Sequence, residues 1–62
     1  MERKTVYSAY DLTAVFRGTL AECEAWILKQ APVYGGRRIF RTWTEGTRVF
    51  YDVEKVFYID ED

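Results

Sequence analysis

The stretch GTLAECEAWILKQAP, Gly18 to Pro32, decides how the rest of the chain is read. Thr19 followed three positions later by Glu22 has the T-x-x-E spacing of a capping box. In that motif the threonine hydroxyl accepts from the Glu22 main-chain N–H, and the Glu22 carboxylate accepts from that of Thr19. Gly18 before the box and Pro32 after it stop a helix at both ends. The spacing predicts a helix over about residues 20–30. Leu20, Cys23, Ile27 and Ala31 fall on one stripe, flanked by Trp26 and Leu28, while Glu22, Ala25 and Lys29 lie opposite. Glu24 falls near the apolar arc, an odd place for a carboxylate.

Outward from this helix the pattern changes. Toward the N-terminus, KTVYSAYDL is rich in β-branched and aromatic residues and reads as a strand. TAVFRG reads as a second strand, joined to it by a turn near Asp11–Thr13. Leu12, Val15, Phe16 and Leu20 also fit a 3.6 period, so the alternative extends the helix backward through residues 13–17. A Gly18 inside a helix would cost ~1 kcal/mol and leave the capping box unused, which favours the strand.

Past the helix, APVYGG reads as loop, RRIFRTWTEGTRVFYDV as a hairpin turning at Glu45–Gly46, and KVFYID as a last strand. A two-residue turn there sets Trp43 opposite Arg48 and Arg41 opposite Phe50. A three-residue loop with a glycine bulge sets Arg38 opposite Asp52. Alternation puts Val49, Tyr51 and Val53 on one face and Arg48, Phe50 and Asp52 on the other. By the same rule Ile39, Arg41 and Trp43 share a face, as do Arg38, Phe40 and Thr42. The expected fold class is α+β: one domain over residues 1–62, with a small antiparallel sheet packed on one helix. The element order is ββαβββ, or βαβββ if residues 13–17 are not a strand.

A chain of 62 residues buries only ~60% of the surface it exposes when unfolded. Two Trp, five Tyr and four Phe compensate, since each ring can bury ~150–250 Å². Cys23 is the single cysteine and there is no histidine. Disulfides within the chain, imidazole–thiolate metal sets and Ser-His or Cys-His nucleophiles are thereby excluded. Cys23 sits on the apolar stripe, where a free thiol behaves as a small hydrophobe. Glu22 and Glu24 follow the preference for negative charge at a helix N-terminus, and Asp60, Glu61 and Asp62 read as a solvated end. Neither set shows the apolar cleft that would separate two carboxyl pKa values. GGRR lacks the G-x-x-x-x-G-K-[ST] spacing of a phosphate loop. No catalytic, cofactor-binding or metal-binding residue is expected, and the chain does not read as an enzyme. MERKTVYSAY has no apolar segment of signal-peptide kind, and no apolar run approaches the ~20 residues of a membrane span. The expectation is a cytoplasmic protein with no membrane partner.

Charge distribution then narrows the function. The net charge is −1, but Arg37, Arg38, Arg41 and Arg48 precede an acidic end of Asp52, Glu54, Asp60, Glu61 and Asp62. Arg41 and Arg48 with Trp43 and Phe50 are the composition of a single-strand nucleic-acid face, arginines for phosphates and rings for bases. The same residues serve equally well as cross-strand pairs on the wet side of a sheet. A net acidic chain weighs against nucleic acid. One helix covers one sheet face, so Phe50 with Phe40 or Trp43 should stay partly exposed, and exposed rings with arginine mark protein–protein hot spots. The candidate partner-binding residues are Arg41, Trp43, Arg48, Phe50, Asp52, Glu54, Asp60 and Glu61. A nucleic-acid-binding domain and a homo-oligomerisation module are the alternatives.

YDLTAVFRGTLAECEAWILKQ, residues 10–30, and FYDVEKVFYI, residues 50–59, resemble the layout of small phage- and prophage-encoded accessory proteins. There a tyrosine-rich strand leads through GT to a capped AEC-x-x-W helix, and a hairpin near the C-terminus carries YD. The likeness covers most of the chain. It implies a non-enzymatic protein that acts by binding, an anti-defence inhibitor of the anti-CRISPR kind. Such a protein docks on a host protein or ribonucleoprotein in the host cytoplasm, sometimes through an acidic surface.

Overall fold

The computed structural model describes residues 2–60. The chain runs through β1 (Lys4–Ser8), β2 (Ala14–Gly18), α1 (Leu20–Leu28), β3 (Val33–Tyr34), β4 (Arg37–Arg38), β5 (Arg41–Glu45), β6 (Arg48–Asp52) and β7 (Val56–Asp60). The fold is a small α+β domain. Five strands form one antiparallel sheet in the order β2-β1-β7-β6-β5, with the first hairpin joined to the last strand through β1 and β7.

Both halves of the capping box form. The Thr19 hydroxyl accepts from Glu22 N at 3.2 Å, and Glu22 Oε1 accepts from Thr19 N at 2.9 Å. A Cβ on Gly18 would stand 2.9 Å from that same Glu22 oxygen and 3.1 Å from the Glu22 Cβ, so a side chain there would crowd the capping box. The helix ends at Leu28, two residues short of the expected Gln30. Gln30 and Ala31 donate to the carbonyls of Ile27 and Leu28, a tightened last turn. Pro32 disfavours helical geometry in the residue before it, so the tightening cannot continue as helix. The Arg38 guanidinium closes this end by donating to the Lys29 and Ala31 carbonyls at 3.4 and 3.3 Å.

Residues 14–18 are the second strand, and the backward helix extension does not occur. Asp11 Oδ1 holds the intervening turn by accepting from Thr13 N and Oγ1 at 3.2 and 2.7 Å. The main-sheet strands and helix keep the expected ββαβββ order, with one addition. The β3–β4 hairpin, turning at Gly35–Gly36, stands where a loop was expected. RRIFRTW is therefore not one strand. Ile39 N donates to Pro32 O at 2.9 Å, one further rung of the β3–β4 pairing, and the chain joins the main sheet only with β5 at Arg41. Face assignments for residues 37–40 by simple alternation fail at this break.

The β5–β6 register also differs from both expected ones. The turn is at Gly46–Thr47, so Glu45 opposes Arg48, Trp43 opposes Phe50 and Arg41 opposes Asp52. Gly46 sits at φ +62° in the first central position of a two-residue turn, where a primed hairpin turn calls for glycine. A turn centred one residue earlier would have put Glu45 in that position.

The core lies between α1 and one sheet face: Val6, Cys23, Ile27, Ala31, Tyr51, Val53, Phe57 and Ile59, with Val49, Phe16, Trp26 and Leu28 packed around it. Val49, Tyr51 and Val53 thus share the helix side, as their alternation requires. Trp26 stacks on Phe16 at 5.3 Å and meets Phe57 edge-on at 5.4 Å. Leu20, expected on the buried stripe, is 45% exposed at the start of the helix. Glu24 has a reason for its position: its carboxylate accepts from the Tyr51 hydroxyl at 3.0 Å. Burial first, and this hydrogen bond second, push the Tyr51 phenol up to about 12.

Candidate functional site

The candidate site follows from register alone. If Val6, Ile59, Val49 and Tyr51 face the helix, their alternate neighbours face the other way. Among the described residues no element covers that second face. Across it, Trp43 (β5), Phe50 (β6), Tyr58 (β7) and Tyr7 (β1) fall directly opposite one another and form a row. Trp43 and Phe50 stack nearly parallel at 5.4 Å between centroids. Phe50 tilts against Tyr58 at 5.2 Å, and Tyr58 stacks on Tyr7 at 5.2 Å. Such ring pairs add ~0.5–1.5 kcal/mol each beyond the area they bury. Tyr58 is only 4% exposed, although it is on the uncovered face. Its cover is its neighbours: two rings, and the Arg48 guanidinium 4.7 Å above its centroid.

Charged rows border the rings on both sides. Arg41 pairs with Asp52 at 2.9 Å on one side. On the other, Arg48 pairs with Asp60 at 3.7 Å, and Glu45 stands directly opposite Arg48. Glu45 also accepts from Trp43 Nε1 at 2.8 Å, which orients the indole. The Thr47 hydroxyl donates to Asp60 at 3.4 Å. The hydrogen bond from Arg41, then that from the Glu54 main-chain N–H, holds the Asp52 carboxyl below its usual range.

Six of the eight residues expected to bind a partner therefore share this face: Arg41, Trp43, Arg48, Phe50, Asp52 and Asp60. Glu54 does not. It sits at φ +83° in the β6–β7 turn, beyond the end of the sheet. Glu61 lies outside the described residues. The basic and acidic parts of the sequence do not form separate surfaces, because the hairpin register lays them side by side and pairs them. Tyr7 and Tyr58 were not anticipated as members of the site. In VFYID a run of four large residues hides which ones alternate outward, and only the β1–β7 and β6–β7 registers resolve it.

Next to this face, a shallow groove of about 330 Å³ opens between the β3–β4 hairpin and the end of β6. Pro32, Tyr34, Ile39 and Phe40 form its apolar wall, and Arg41, Asp52 and Glu54 its charged rim. Tyr34, Ile39 and Phe40 are 63%, 49% and 40% exposed.

Cys23 is buried, with its thiol 3.6 and 3.7 Å from the Lys4 and Gly18 carbonyls, and burial pushes its pKa up. Among the described residues no group of His, Cys, Asp or Glu is placed to hold a metal ion, and no helix is long and apolar enough to cross a membrane. No family model matches the chain, and no curated protein or solved structure is detectably similar to it.

Proposed function

We propose that this chain is a non-enzymatic binding module that docks on a protein through the open sheet face. The observation that supports it is the row Tyr7–Tyr58–Phe50–Trp43 bordered by charges already paired with one another. An apolar aromatic centre with a polar, self-neutralised rim is the anatomy of a protein interface. Tyr, Trp and Arg are the residues that concentrate binding energy there.

A nucleic-acid face asks for something else. Phosphate binding gains its affinity from cations that displace counterions. Here Arg41 and Arg48 carry carboxylate partners. Base stacking needs ring faces turned outward, and these rings turn their faces toward each other. The resemblance to phage accessory proteins extends the proposal to its partner class. On that reading the chain is an anti-defence inhibitor of the anti-CRISPR type, docking on a host protein or ribonucleoprotein in the host cytoplasm.

The experiment is affinity capture from a bacterial host lysate with the parent, Phe50→Ala, Tyr7→Ala and the helix-surface control Lys29→Ala. The partner is expected on the parent and the control and lost from both sheet-face variants. A titration with labelled single- and double-stranded DNA and RNA at low salt runs alongside. Tight binding that falls steeply as salt rises would overturn the proposal in favour of nucleic acid.

A further inference from the structure

The sheet has two edges, and they are finished differently. At β2 the register with β1 slips between Val6 and Tyr7, so the edge strand carries a bulge, and Gly18 leads straight into the helix. A bulge twists an edge away from further pairing. At β5 the pairing with β6 runs without a break from Arg41 to Glu45. Its sequence, RTWTE, has no proline, lysine or bulge. Both threonines are exposed, and among the described residues no strand lies beyond it.

From this edge we infer that two copies of the chain associate through β5, antiparallel about a two-fold axis at Trp43, to make one continuous ten-stranded sheet. The inference stands independently of what the open face binds. It rests on the self-complementarity of five residues. With Trp43 opposite its own copy, Thr42 falls opposite Thr44, and Arg41 falls opposite Glu45, each twice by symmetry. A two-residue loop closes on the hydrogen-bonded pair Glu45–Arg48, so Arg41, Trp43 and Glu45 turn their main-chain groups toward β6. Thr42 and Thr44 turn theirs to the open edge, where they can exchange main-chain hydrogen bonds with Thr44 and Thr42 of the second copy.

The charges then form a pattern that neither copy has alone. On the open face Asp60, Arg48 and Glu45 already alternate in sign across three strands. Pairing adds Arg41 and then Asp52 of the second copy, so the row alternates over five strands, once on each side of the axis. Arg41 has room for two acids: its side chain is 80% exposed, with Asp52 contacting one end of the guanidinium. The ring row meets its own copy at Trp43 and becomes eight rings long. Opposite charges directly across a strand pair stabilise it and like charges destabilise it, so other registers of this edge lose the match.

Analytical ultracentrifugation from low-micromolar to near-millimolar concentration tests this. The parent is expected to shift from monomer to dimer. Arg41→Glu and Glu45→Arg each place like charges opposite one another twice, and each alone should weaken the dimer by about tenfold or more. An equimolar mixture of the two variants restores both opposite-charge pairs and should recover the dimer as a heterodimer. Recovery also shows that both variants are folded. Should either fail to fold alone, Thr44→Pro removes an N–H that points only to the open edge and should weaken the dimer without disturbing β6. A parent that stays monomeric throughout overturns the inference. So does a dimer that all three variants leave unchanged, or a mixture of two folded variants that does not associate.

Discussion

Truncating Phe50 to alanine tests whether the open face is a structural unit or a set of separate surface rings. Phe50 is half-buried and makes two ring contacts, with Trp43 at 5.4 Å and Tyr58 at 5.2 Å. At ~0.5–1.5 kcal/mol for each pair, on top of about 1–1.5 kcal/mol for the area a half-buried phenylalanine keeps from water, Phe50→Ala should cost about 2–4 kcal/mol. Phe57, one face away and 6% exposed in the core, sets the comparison. Its truncation leaves a cavity and should cost ~3–5 kcal/mol. A 62-residue domain at ~0.05–0.15 kcal/mol per residue has roughly 3–9 kcal/mol in all. Phe50→Ala should therefore remain folded with a lowered midpoint, whereas Phe57→Ala should unfold or nearly so. Urea melts of parent and both variants give the difference directly, with a thermal shift of ~4–8 °C per kcal/mol as a second readout. Equal losses at Phe50 and Phe57 would mean that the open face is a second core. No loss at Phe50 would mean that the ring contacts carry no energy. The first result refutes the division of the sheet into a helix side and a binding side; the second refutes the ring row as a structural unit.

The other expectations are narrower. Thr19→Ala removes the capping acceptor and should cost ~0.5–2 kcal/mol by urea melt; a melt that overlays the parent would show that the helix does not depend on its box. The Glu22 carboxyl is held below its ordinary value, chiefly by the Thr19 main-chain N–H. It contributes stability above its unfolded pKa that is lost as pH falls through the folded one, so Glu22→Gln, which removes the titrating carboxylate, should flatten the acid limb of the stability curve. Tyr51→Phe leaves the Glu24 carboxylate without its 3.0 Å donor and should cost about 1–3 kcal/mol. With the Tyr51 phenol pushed up to about 12, against ~10 when unfolded, the protein should lose stability as pH rises through that window. A phenolate absorbance titration checks it, and Tyr51→Phe should remove that part of the alkaline loss.

How much of this was legible in the sequence depended on the range of the interaction. The helix start was legible because the capping box is a contact between residues three apart, and β2 was legible because Gly18 and that box forbid a longer helix. The faces of β6 were legible because alternation is a property of a single strand. The β5–β6 register was not. It turns on which residue occupies the positive-φ position of a two-residue turn, and Gly46 fits both turns expected from the sequence as readily as the Gly46–Thr47 turn that forms. The β3–β4 hairpin was missed for a related reason. Its pairing is only two residues long, and what holds it in place is the Arg38 guanidinium on the helix carbonyls, a contact that no periodicity encodes. Tyr7 and Tyr58 were missed because their role arises where β1 and β7 meet, strands that are far apart in the chain.

The arginines separate what sequence suggests from what the fold does with it. In the sequence, Arg41 and Arg48 stand in a basic run, and Asp52 and Asp60 in an acidic one, which invites two surfaces of opposite sign. Antiparallel pairing abolishes that separation, because a hairpin folds the first run back against the second. Each arginine then meets an acid from the other run, Asp52 for Arg41 and Asp60 for Arg48. These pairs are exposed, so each contributes little to stability, about 0–1 kcal/mol. Their larger effect is on recognition. They remove the net field that would draw in a polyanion, and they leave the aromatic row as the feature that distinguishes this face. Under the proposed function, a partner is then selected by shape and apolar contact along the row. In that proposal the charges act at its margins, where a mismatched neighbour meets a like charge and a matched one, such as the β5 edge of a second copy in the inferred dimer, meets its opposite.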